Sequence, residues 1–341
     1  MKKFLVLFSL VAMLLGQTAY ADVPFRNHRY DSFKGIPVNN DNIVFYGNSI
    51  TNMNEWWECF GSDHRIINRG TSGGYTLELL DNCEPIIAGQ PAKLFVKIGT
   101  NDLGTAGVDS PELIASNITR LVERFQLESP RTEIYIQSIL PSTNGSRTLD
   151  KIRATNALLK KMCEEKNVTY IDLFDAMMDI TTQKISYDGL HLTAKGYKIW
   201  CDLIAPYVGI ECSYPDTFNE NASSMGGSFG MRSTYWSVEE VTPDDILILG
   251  DEMIHGGEWH ELLKSPNAKD RGTGWGYGGV NLDQWYKNLD AILRTNPTRK
   301  AAPKTIALYI GVVDCENASQ SVTASRSAYE KVIRRINTCL F

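Results

Sequence analysis

The sequence lacks the features that mark several classes of protein. Basic residues are in deficit, because 34 Lys and Arg stand against 40 Asp and Glu among 341 residues, a formal net charge of −6. A nucleic-acid-binding function usually needs a concentrated basic surface and is therefore not expected. Only seven cysteines occur, an odd number that is too scattered for a disulfide scaffold, and their pairing stays open.

Long apolar runs are also absent beyond the first 21 residues, so no membrane span is expected there. Two lysines, the apolar run Phe4–Leu15 and the small residues Ala19 and Ala21 are typical of a secretory signal peptide cleaved after Ala21. A membrane anchor is the alternative, but a bilayer span takes about 20 apolar residues and this run is shorter. We expect a periplasmic or secreted protein.

The rest of the composition is that of a globular protein, with 43% hydrophobic and 22% charged residues. From residue 42 onward, short apolar runs alternate with longer amphipathic ones, which predicts βα units around a parallel sheet. The predicted strands are Ile43–Tyr46, Ile66–Asn68, Lys93–Ile98, Ile134–Ser138 and Thr169–Asp172. The predicted helices are Tyr75–Ala88, Pro111–Glu128, Leu149–Lys166 and Ala194–Val208.

These elements predict a doubly wound, flavodoxin-like α/β domain with five parallel strands over residues 22–212. A stretch rich in Gly, Ser and Asn follows over residues 213–231 and reads as a linker. A second α/β pattern then occupies residues 232–341.

The second pattern repeats the first. Gly47–Phe60 and Gly250–Leu263 share four of fourteen residues, and Arg69–Tyr75 and Arg271–Tyr277 share five of seven. Unrelated segments match at roughly one position in twenty, so the likeness indicates an internal repeat. The given sequence ends before the second copy reaches the counterparts of the last two strands, so we interpret that copy as truncated.

Short motifs of polar residues and glycines follow the predicted strands of the first copy. Ligands bind at the ends of the strands in sheets of this kind. Ser49 comes after the first strand, Gly70, Gly73 and Gly74 after the second, and Asn101 after the third. Nearer the end of the domain stands an Asp-x-x-His pattern made by Asp188 and His191. Each motif alone is weak, but the four in this order form a strong combination.

The four motifs resemble those of the SGNH (GDSL-type) hydrolase family, over about Asn42 to Val208. The resemblance implies that Ser49 is the nucleophile and His191 the general base, with Asp188 orienting His191. It also implies an oxyanion hole made by the N–H groups of Ser49 and Gly73 and the side-chain amide of Asn101.

Two positions qualify this comparison. Gly73 is chosen over Gly70 and Gly74 because it stands at the family's spacing after Asn68. Asn48 occupies a position where the family usually has Asp, which makes the local hydrogen bonding a question for the structure.

The second copy has lost every one of these chemical groups. Glu252 aligns with Ser49, Trp275 with Gly73 and Val313 with Asn101, and no Asp-x-x-His pattern follows. We interpret residues 232–341 as a degenerate repeat. A three-stranded fragment has an exposed edge, so we expect this copy to dock on the first one or on a partner.

Together these features predict an exported serine esterase that forms an acyl-enzyme and removes short acyl groups, above all O-acetyl groups from carbohydrate. The residues of these motifs resemble those of exported acetylesterases, including the ones that act on sialic acids. The alternatives are a lysophospholipase or thioesterase of the same family, and a noncatalytic glycan-binding protein. No cofactor or metal is expected, since no zinc-like spacing of ligands occurs.

Overall fold

Five parallel strands form the first sheet of the computed structural model, which describes residues 22–180, 185–216, 232, 234–236, 241–273, 280–293, 303, 305–317 and 319–340. The strands are β1 (Ile43–Gly47), β2 (Ile66–Gly70), β3 (Lys93–Lys97), β4 (Glu133–Gln137) and β5 (Thr169–Ile171). Their order across the sheet is β2-β1-β3-β4-β5, and every neighbouring pair is parallel. The predicted doubly wound sheet is confirmed.

Helices cover both faces of this sheet. They are α1 (Asp22–Gly35), α2 (Ser49–Asn52), α3 (Trp56–Cys59), α4 (Thr76–Asp81), α5 (Glu84–Gly89), α6 (Thr100–Leu103), α7 (Pro111–Glu128), α8 (Leu149–Lys166) and α9 (Ala194–Val208). The last three have the bounds that the sequence predicts. Local caps explain this agreement for two of them, because Ser110 and Thr148 accept hydrogen bonds from the first turns of α7 and α8.

The predicted helix Tyr75–Ala88 is wrong as a single element, because the structure has α4 and α5 in its place. Pro85 explains the break. Its ring lacks an N–H and collides with the carbonyl four residues earlier when a helix runs through it. That carbonyl belongs to Asp81, where α4 ends.

Helix α1 lies before the first strand and was not predicted. It buries Phe25, Tyr30 and Phe33, but it also buries Arg29 completely, so its inward face has no simple apolar pattern. The partners of Arg29 include Glu258, which lies more than 200 residues away in the sequence. Local periodicity contains no information about such a partner.

A second, smaller sheet is built from β6 (Ile246–Gly250), β7 (Ala268–Gly272) and β8 (Thr305–Tyr309). Its order β7-β6-β8 and its parallel pairings are those of β2-β1-β3, as an internal repeat requires. The helices of this second unit are α10 (Glu252–His255), α11 (Trp259–Leu262), α12 (Leu282–Leu293), α13 (Val312–Glu316) and α14 (Val322–Leu340).

The two units contact each other through ion pairs that repeat with the units exchanged. Arg69 donates to both carboxylate oxygens of Glu261 at 2.7 and 2.8 Å. Arg271 donates to those of Glu58 at 2.9 and 3.0 Å. Since Arg69 aligns with Arg271 and Glu58 with Glu261, the contact has the reciprocity of a twofold interface between like surfaces.

Aromatic packing supports the same local twofold relation. Trp57 stacks on His260, its aligned counterpart, with 4.5 Å between ring centroids and 16° between planes. The neighbouring Trp56 stacks on Phe45 of β1 at 4.2 Å. Both tryptophans are therefore core residues, one within the first unit and one between the units.

Only some of the predicted segment boundaries fall within the described residues. The predicted signal peptide and residues 217–231 of the predicted linker lie outside the described residues. At the start of that linker, Ser213 donates its N–H to the carbonyl of Cys59 at 2.7 Å and Tyr214 is buried in the first core. The first unit thus continues past residue 212.

Six cysteines are free thiols: Cys59, Cys83, Cys163, Cys201, Cys212 and Cys315. Across the described ranges, the helices are too short or too polar to traverse a bilayer.

Candidate active site

Ser49 is presented by the tight turn between β1 and α2. A Cβ atom on Gly47 would lie 2.2 Å from Thr51 Oγ1 and 2.4 Å from the carbonyl oxygen of Lys97, so only glycine fits there. Asn48 then caps α2, because its Oδ1 accepts the N–H of Ile50 at 3.2 Å. The strand, the glycine and the cap together fix where the serine hydroxyl lies.

The departure at Asn48 leaves this cap intact. A carboxylate oxygen could accept the same hydrogen bond as the Asn48 Oδ1. The difference lies in the other side-chain atom, because the buried Nδ2 of Asn48 has no hydrogen-bond partner in the described structure. Asn48 therefore keeps the cap beside Ser49 and leaves its own amide nitrogen unsatisfied.

The structure brings Ser49, His191 and Asp188 into one chain of contacts. Ser49 Oγ lies 3.1 Å from His191 Nε2, although 142 residues separate them, and His191 Nδ1 lies 2.8 Å from Asp188 Oδ2. The other carboxylate oxygen of Asp188 accepts the backbone N–H of His191 at 2.7 Å and that of Leu190 at 3.0 Å. This is the geometry of a serine nucleophile, a general base and an orienting carboxylate.

Hydrogen bonds keep Asp188 ionised. Burial alone would raise the pKa of this carboxyl, but the His191 side chain and the N–H groups of residues 190 and 191 outweigh it and lower the pKa to about 2. The carboxylate is therefore negative at any pH where an imidazole can act as a base.

Backbone contacts hold the loop that carries the two residues. Gly189 has a φ of +80°, which side chains rarely tolerate, and its carbonyl accepts hydrogen bonds from Ser142 Oγ and Thr143 N, each at 3.0 Å. The N–H of Tyr187 closes the loop on the carbonyl of His191 at 2.8 Å.

The oxyanion-hole candidates lie on two neighbouring loops. The N–H of Gly70 donates to Asn68 Oδ1 and that of Gly74 to the carbonyl of Thr71, so both are occupied. Within the described structure, no protein acceptor receives the N–H of Gly73 or of Ser49. This geometry favours Gly73 among the three glycines.

Asn101 is the second residue of α6, which begins directly after Gly99, whose φ is +108°. Its Nδ2 donates to the carbonyl of Gly74 at 2.9 Å, and because an amide nitrogen carries two hydrogens, one stays available. Asp102 anchors the same helix by accepting from the hydroxyl of Thr76 at 2.6 Å. Asp102 directly follows Asn101 in the sequence, but its anchoring role became visible only from this contact.

Arg26 is a further site residue that the sequence reasoning missed. It donates to the carbonyl of Gly73 at 3.0 Å, and its guanidinium lies 5.6 Å from the ring centroid of Tyr75. The contact holds the glycine loop against α1. No sequence signal pointed to it, because α1 itself was not predicted.

A buried lysine lies behind the Asn101 loop. Lys97, the last residue of β3, donates to Thr100 Oγ1 at 3.0 Å. Burial, with a smaller contribution from nearby Arg147, lowers the pKa of Lys97 to about 7. The side chain of Arg147 in turn donates to the carbonyl of Thr100 at 2.8 Å.

The second unit shows no comparable site in its described residues. Glu252 begins α10 and Val313 lies in α13, whereas Trp275 falls outside the described residues. His255 is buried with neither ring nitrogen hydrogen-bonded. The described residues also contain no group of three or more His, Cys, Asp or Glu side chains that could hold a metal ion.

Comparisons with known proteins all concern about half of the chain. Residues 45–199 match the model of the GDSL-like lipase/acylhydrolase family, and that range contains all five predicted site residues. The structure of a candidate platelet activating factor from Streptococcus pneumoniae is 26% identical, with a TM-score of 0.50, over 55% of this chain and 94% of that one. No protein of curated function matches the chain.

Two further solved structures are similar to part of the chain at lower identity. An acylhydrolase candidate from Bacteroides fragilis is 22% identical over 57% of this chain and 98% of its own, with a TM-score of 0.48. An acetyl-xylooligosaccharide esterase from Geobacillus stearothermophilus is 16% identical over 52% and 97%, with a TM-score of 0.44.

Proposed function

We propose that this chain, whose residues 45–199 match the model of the GDSL-like lipase/acylhydrolase family, is a serine esterase that works through Ser49, His191 and Asp188. The observation that carries the proposal is the unbroken chain of contacts from Ser49 Oγ through the imidazole to the carboxylate, at 3.1 and 2.8 Å. Both distances lie within hydrogen-bonding reach for proton transfer.

The first half-reaction transfers the acyl group to the enzyme. His191 Nε2 takes the proton of the Ser49 hydroxyl as its oxygen attacks the ester carbonyl, and Asp188 stabilises the imidazolium that forms. The leaving alcohol takes a proton from the same Nε2. Because the Asp188–His191 contact fixes Nδ1 as the donor nitrogen, Nε2 is free to act as the base.

The oxyanion of the tetrahedral intermediate needs donors that are already in place. The N–H groups of Ser49 and Gly73 and the second amide hydrogen of Asn101 are the donors that the geometry supports. One such donor typically stabilises the transition state by about 3–4 kcal/mol. Water, activated by His191, then hydrolyses the acyl-enzyme through the same donors.

The surroundings of these donors support a short acyl group on a polar molecule. The side chains beside them are polar: Arg26 lies against Tyr75, whose hydroxyl is 3.2 Å from Thr105 Oγ1. Polar groups around an opening recognise hydroxyl-rich substrates better than long acyl chains. We propose that the substrate class is O-acetylated carbohydrate.

The first test is hydrolysis of p-nitrophenyl acetate by the wild type and by Ser49→Ala. We expect kcat of the variant to fall by ~10⁶, because a nucleophile of this kind acts as a unit with its base. Glu252→Ala, at the aligned position of the second unit, is the matched control and should retain the wild-type rate. Equal rates for Ser49→Ala and wild type would contradict the proposal and favour a noncatalytic glycan-binding protein.

A second test concerns the substrate class. Acetate, butyrate and octanoate esters are compared first, and acetate release from O-acetylated sialic acids, xylan and pectin oligomers is then measured by mass spectrometry. We expect the acetate ester to be preferred and at least one of the sugars to release acetate. A preference for octanoate would instead indicate a lysophospholipase or thioesterase.

Export is part of the proposal and rests on the pattern of residues 1–21. The mass of the protein recovered from a secreting host should correspond to a chain that begins at Asp22. Recovery of an uncleaved chain in the cytoplasm would contradict it.

A further inference from the structure

Residues that precede the second sheet contact the catalytic loop of the first unit. Thr234 Oγ1 accepts the N–H of Ala194 at 2.9 Å, and the hydroxyl of Tyr235 donates to the carbonyl of Leu192 at 2.5 Å. Leu192 and Ala194 stand one and three residues after His191. We call Thr234 and Tyr235 the brace.

Thr234 supplies a helix cap that the first unit does not provide. Helix α9 begins at Ala194, and the side chain of its own N-cap residue, Thr193, makes no capping hydrogen bond. The first N–H groups of a helix have no partner within the helix. The hydroxyl of Thr234 therefore completes, from the second unit, the start of the helix that follows His191.

Tyr235 connects the same helix to the nucleophile turn. Its ring packs edge-on against Tyr197 of α9, with 5.2 Å between ring centroids. The hydroxyl of Tyr197 donates to the carbonyl of Ile50, the residue after Ser49, at 2.6 Å. The brace thus contacts, directly or through one side chain, the backbone next to both reacting residues.

Some contacts between the units occur twice, with the roles of the two units exchanged. Arg29 donates to the carbonyl of Gly256. Arg232, which aligns with Arg29, donates to the carbonyl of Met53, which aligns with Gly256. These two arginines also pair with aligned glutamates, Arg29 with Glu258 and Arg232 with Glu55. Such mirrored contacts belong to the interface as a whole.

Among the described residues, the brace contacts have no equivalents with the two units exchanged. At the positions of Thr234 and Tyr235, the first unit has Asp31 and Ser32. Asp31 pairs with the nearby Lys34, and the Ser32 hydroxyl donates to the carbonyl of Arg29 within its own helix. The brace contacts are therefore one-sided, and they point to the only unit that has an Asp-x-x-His loop.

We infer that Thr234 and Tyr235 are positioning residues that hold the His191 loop in register with Ser49, so that the degenerate second unit completes the active site of the first. The inference rests on the proposed function. A backbone shift of about 1 Å at a reacting group can cost 10²-fold in rate, so bonds one and three residues away are close enough to matter.

The experiment measures kcat and KM on p-nitrophenyl acetate for the full chain and for Thr234→Val, Tyr235→Phe and Thr234→Ser. We expect kcat to fall ~10- to 100-fold in the first two with KM nearly unchanged, and Thr234→Ser, which keeps the hydroxyl, to restore the rate. Tyr46→Phe is the matched control. It also removes a buried hydroxyl that donates to a backbone carbonyl, that of Leu79, but on the other face of the sheet.

Hydrogen exchange of the backbone amides of residues 185–194 provides a readout that does not depend on turnover. We expect faster exchange there in Thr234→Val and Tyr235→Phe but not in Tyr46→Phe. If Thr234→Val fails to fold, Tyr235→Phe, which removes a single oxygen, decides the question. An active wild type whose variants keep kcat and exchange unchanged would overturn this inference alone, whereas a wild type inactive on every ester would overturn the proposed function.

Discussion

The turn after β1 and the turn after β6 have the same construction but different chemistry. A Cβ on Gly250 would lie 2.2 Å from Ile254 Cγ1 and 2.5 Å from the carbonyl oxygen of Tyr309. A Cβ on Gly47 would collide in the same way with the Thr51 side chain and the carbonyl oxygen of Lys97. The indoles match as well: Trp56 Nε1 donates to the carbonyl of Thr51 and Trp259 Nε1 to that of Ile254, both at 2.7 Å.

The path of the turn and the proposed reaction therefore depend on separate residues. Glycine and tryptophan fix the path of the chain in both units, whereas only the first has a serine at the start of the following helix and a histidine loop within reach of it. The second unit keeps the residues that build the turn and the interface. Its contribution to activity is therefore to be sought in contacts with the first unit.

After the loss expected for Ser49→Ala, the next largest effect concerns the carboxylate that contacts His191. Asp188→Asn should lower kcat by roughly 10⁴, because an amide at this place favours the wrong imidazole tautomer. Ester hydrolysis under steady-state conditions measures it. Asp172→Asn is the control, since Asp172 Oδ1 accepts a backbone N–H two residues on, as Asp188 Oδ1 does, away from the site. An unchanged rate for Asp188→Asn would show that another group orients His191.

A smaller effect compares how much the two aligned ion pairs, Arg271–Glu58 and Arg69–Glu261, stabilise the fold. Burial alone would raise the pKa of Glu58, but Arg271 and Lys269 lower it. Glu58→Gln leaves both cations buried without this partner and should cost about 3–5 kcal/mol of unfolding free energy in urea. Glu261→Gln should cost less, because one cation, Arg69, pairs with it. Equal losses would contradict this ranking.

The smallest expected effect is the pH dependence of Asp251, which aligns with Asn48. Burial raises the pKa of Asp251 from 3.8 to about 6. The folded state therefore holds this proton more tightly than the unfolded state, so the stability is fully present below pH 3.8 and is lost as the pH rises towards 6. The expected loss is about 2–3 kcal/mol.

Asp251→Asn makes the second turn resemble the first and should remove this dependence. Unfolding free energies at pH 4 and pH 7 for wild type and variant provide the measurement. Parallel pH profiles for the two proteins would show that Asp251 titrates normally.

Much of the first unit could be predicted from the sequence because its signals are local. The strands lie at the short apolar runs, and the caps at Ser110 and Thr148 mark where α7 and α8 begin. The site residues could be proposed because parallel strands end at one edge of a sheet and the motifs there resemble a known family.

The parts that escaped prediction depend on distant partners. Helix α1 is stabilised by Arg29, whose partner Glu258 belongs to the other unit. Thr234 and Tyr235 stand beside a segment read as a linker, and nothing in their neighbours indicates a contact with the backbone after His191. Only the break at Pro85 had a local signal that the prediction of one helix overlooked.

Covalent labelling with a fluorophosphonate, followed by peptide mapping by mass spectrometry, tests whether Ser49 is an activated nucleophile. A serine activated by a histidine reacts with this probe, whereas ordinary serines do not. We expect one adduct per chain, on Ser49, with no label in the second unit and none in Ser49→Ala. An unlabelled wild type, or an adduct on a different residue, would contradict this expectation.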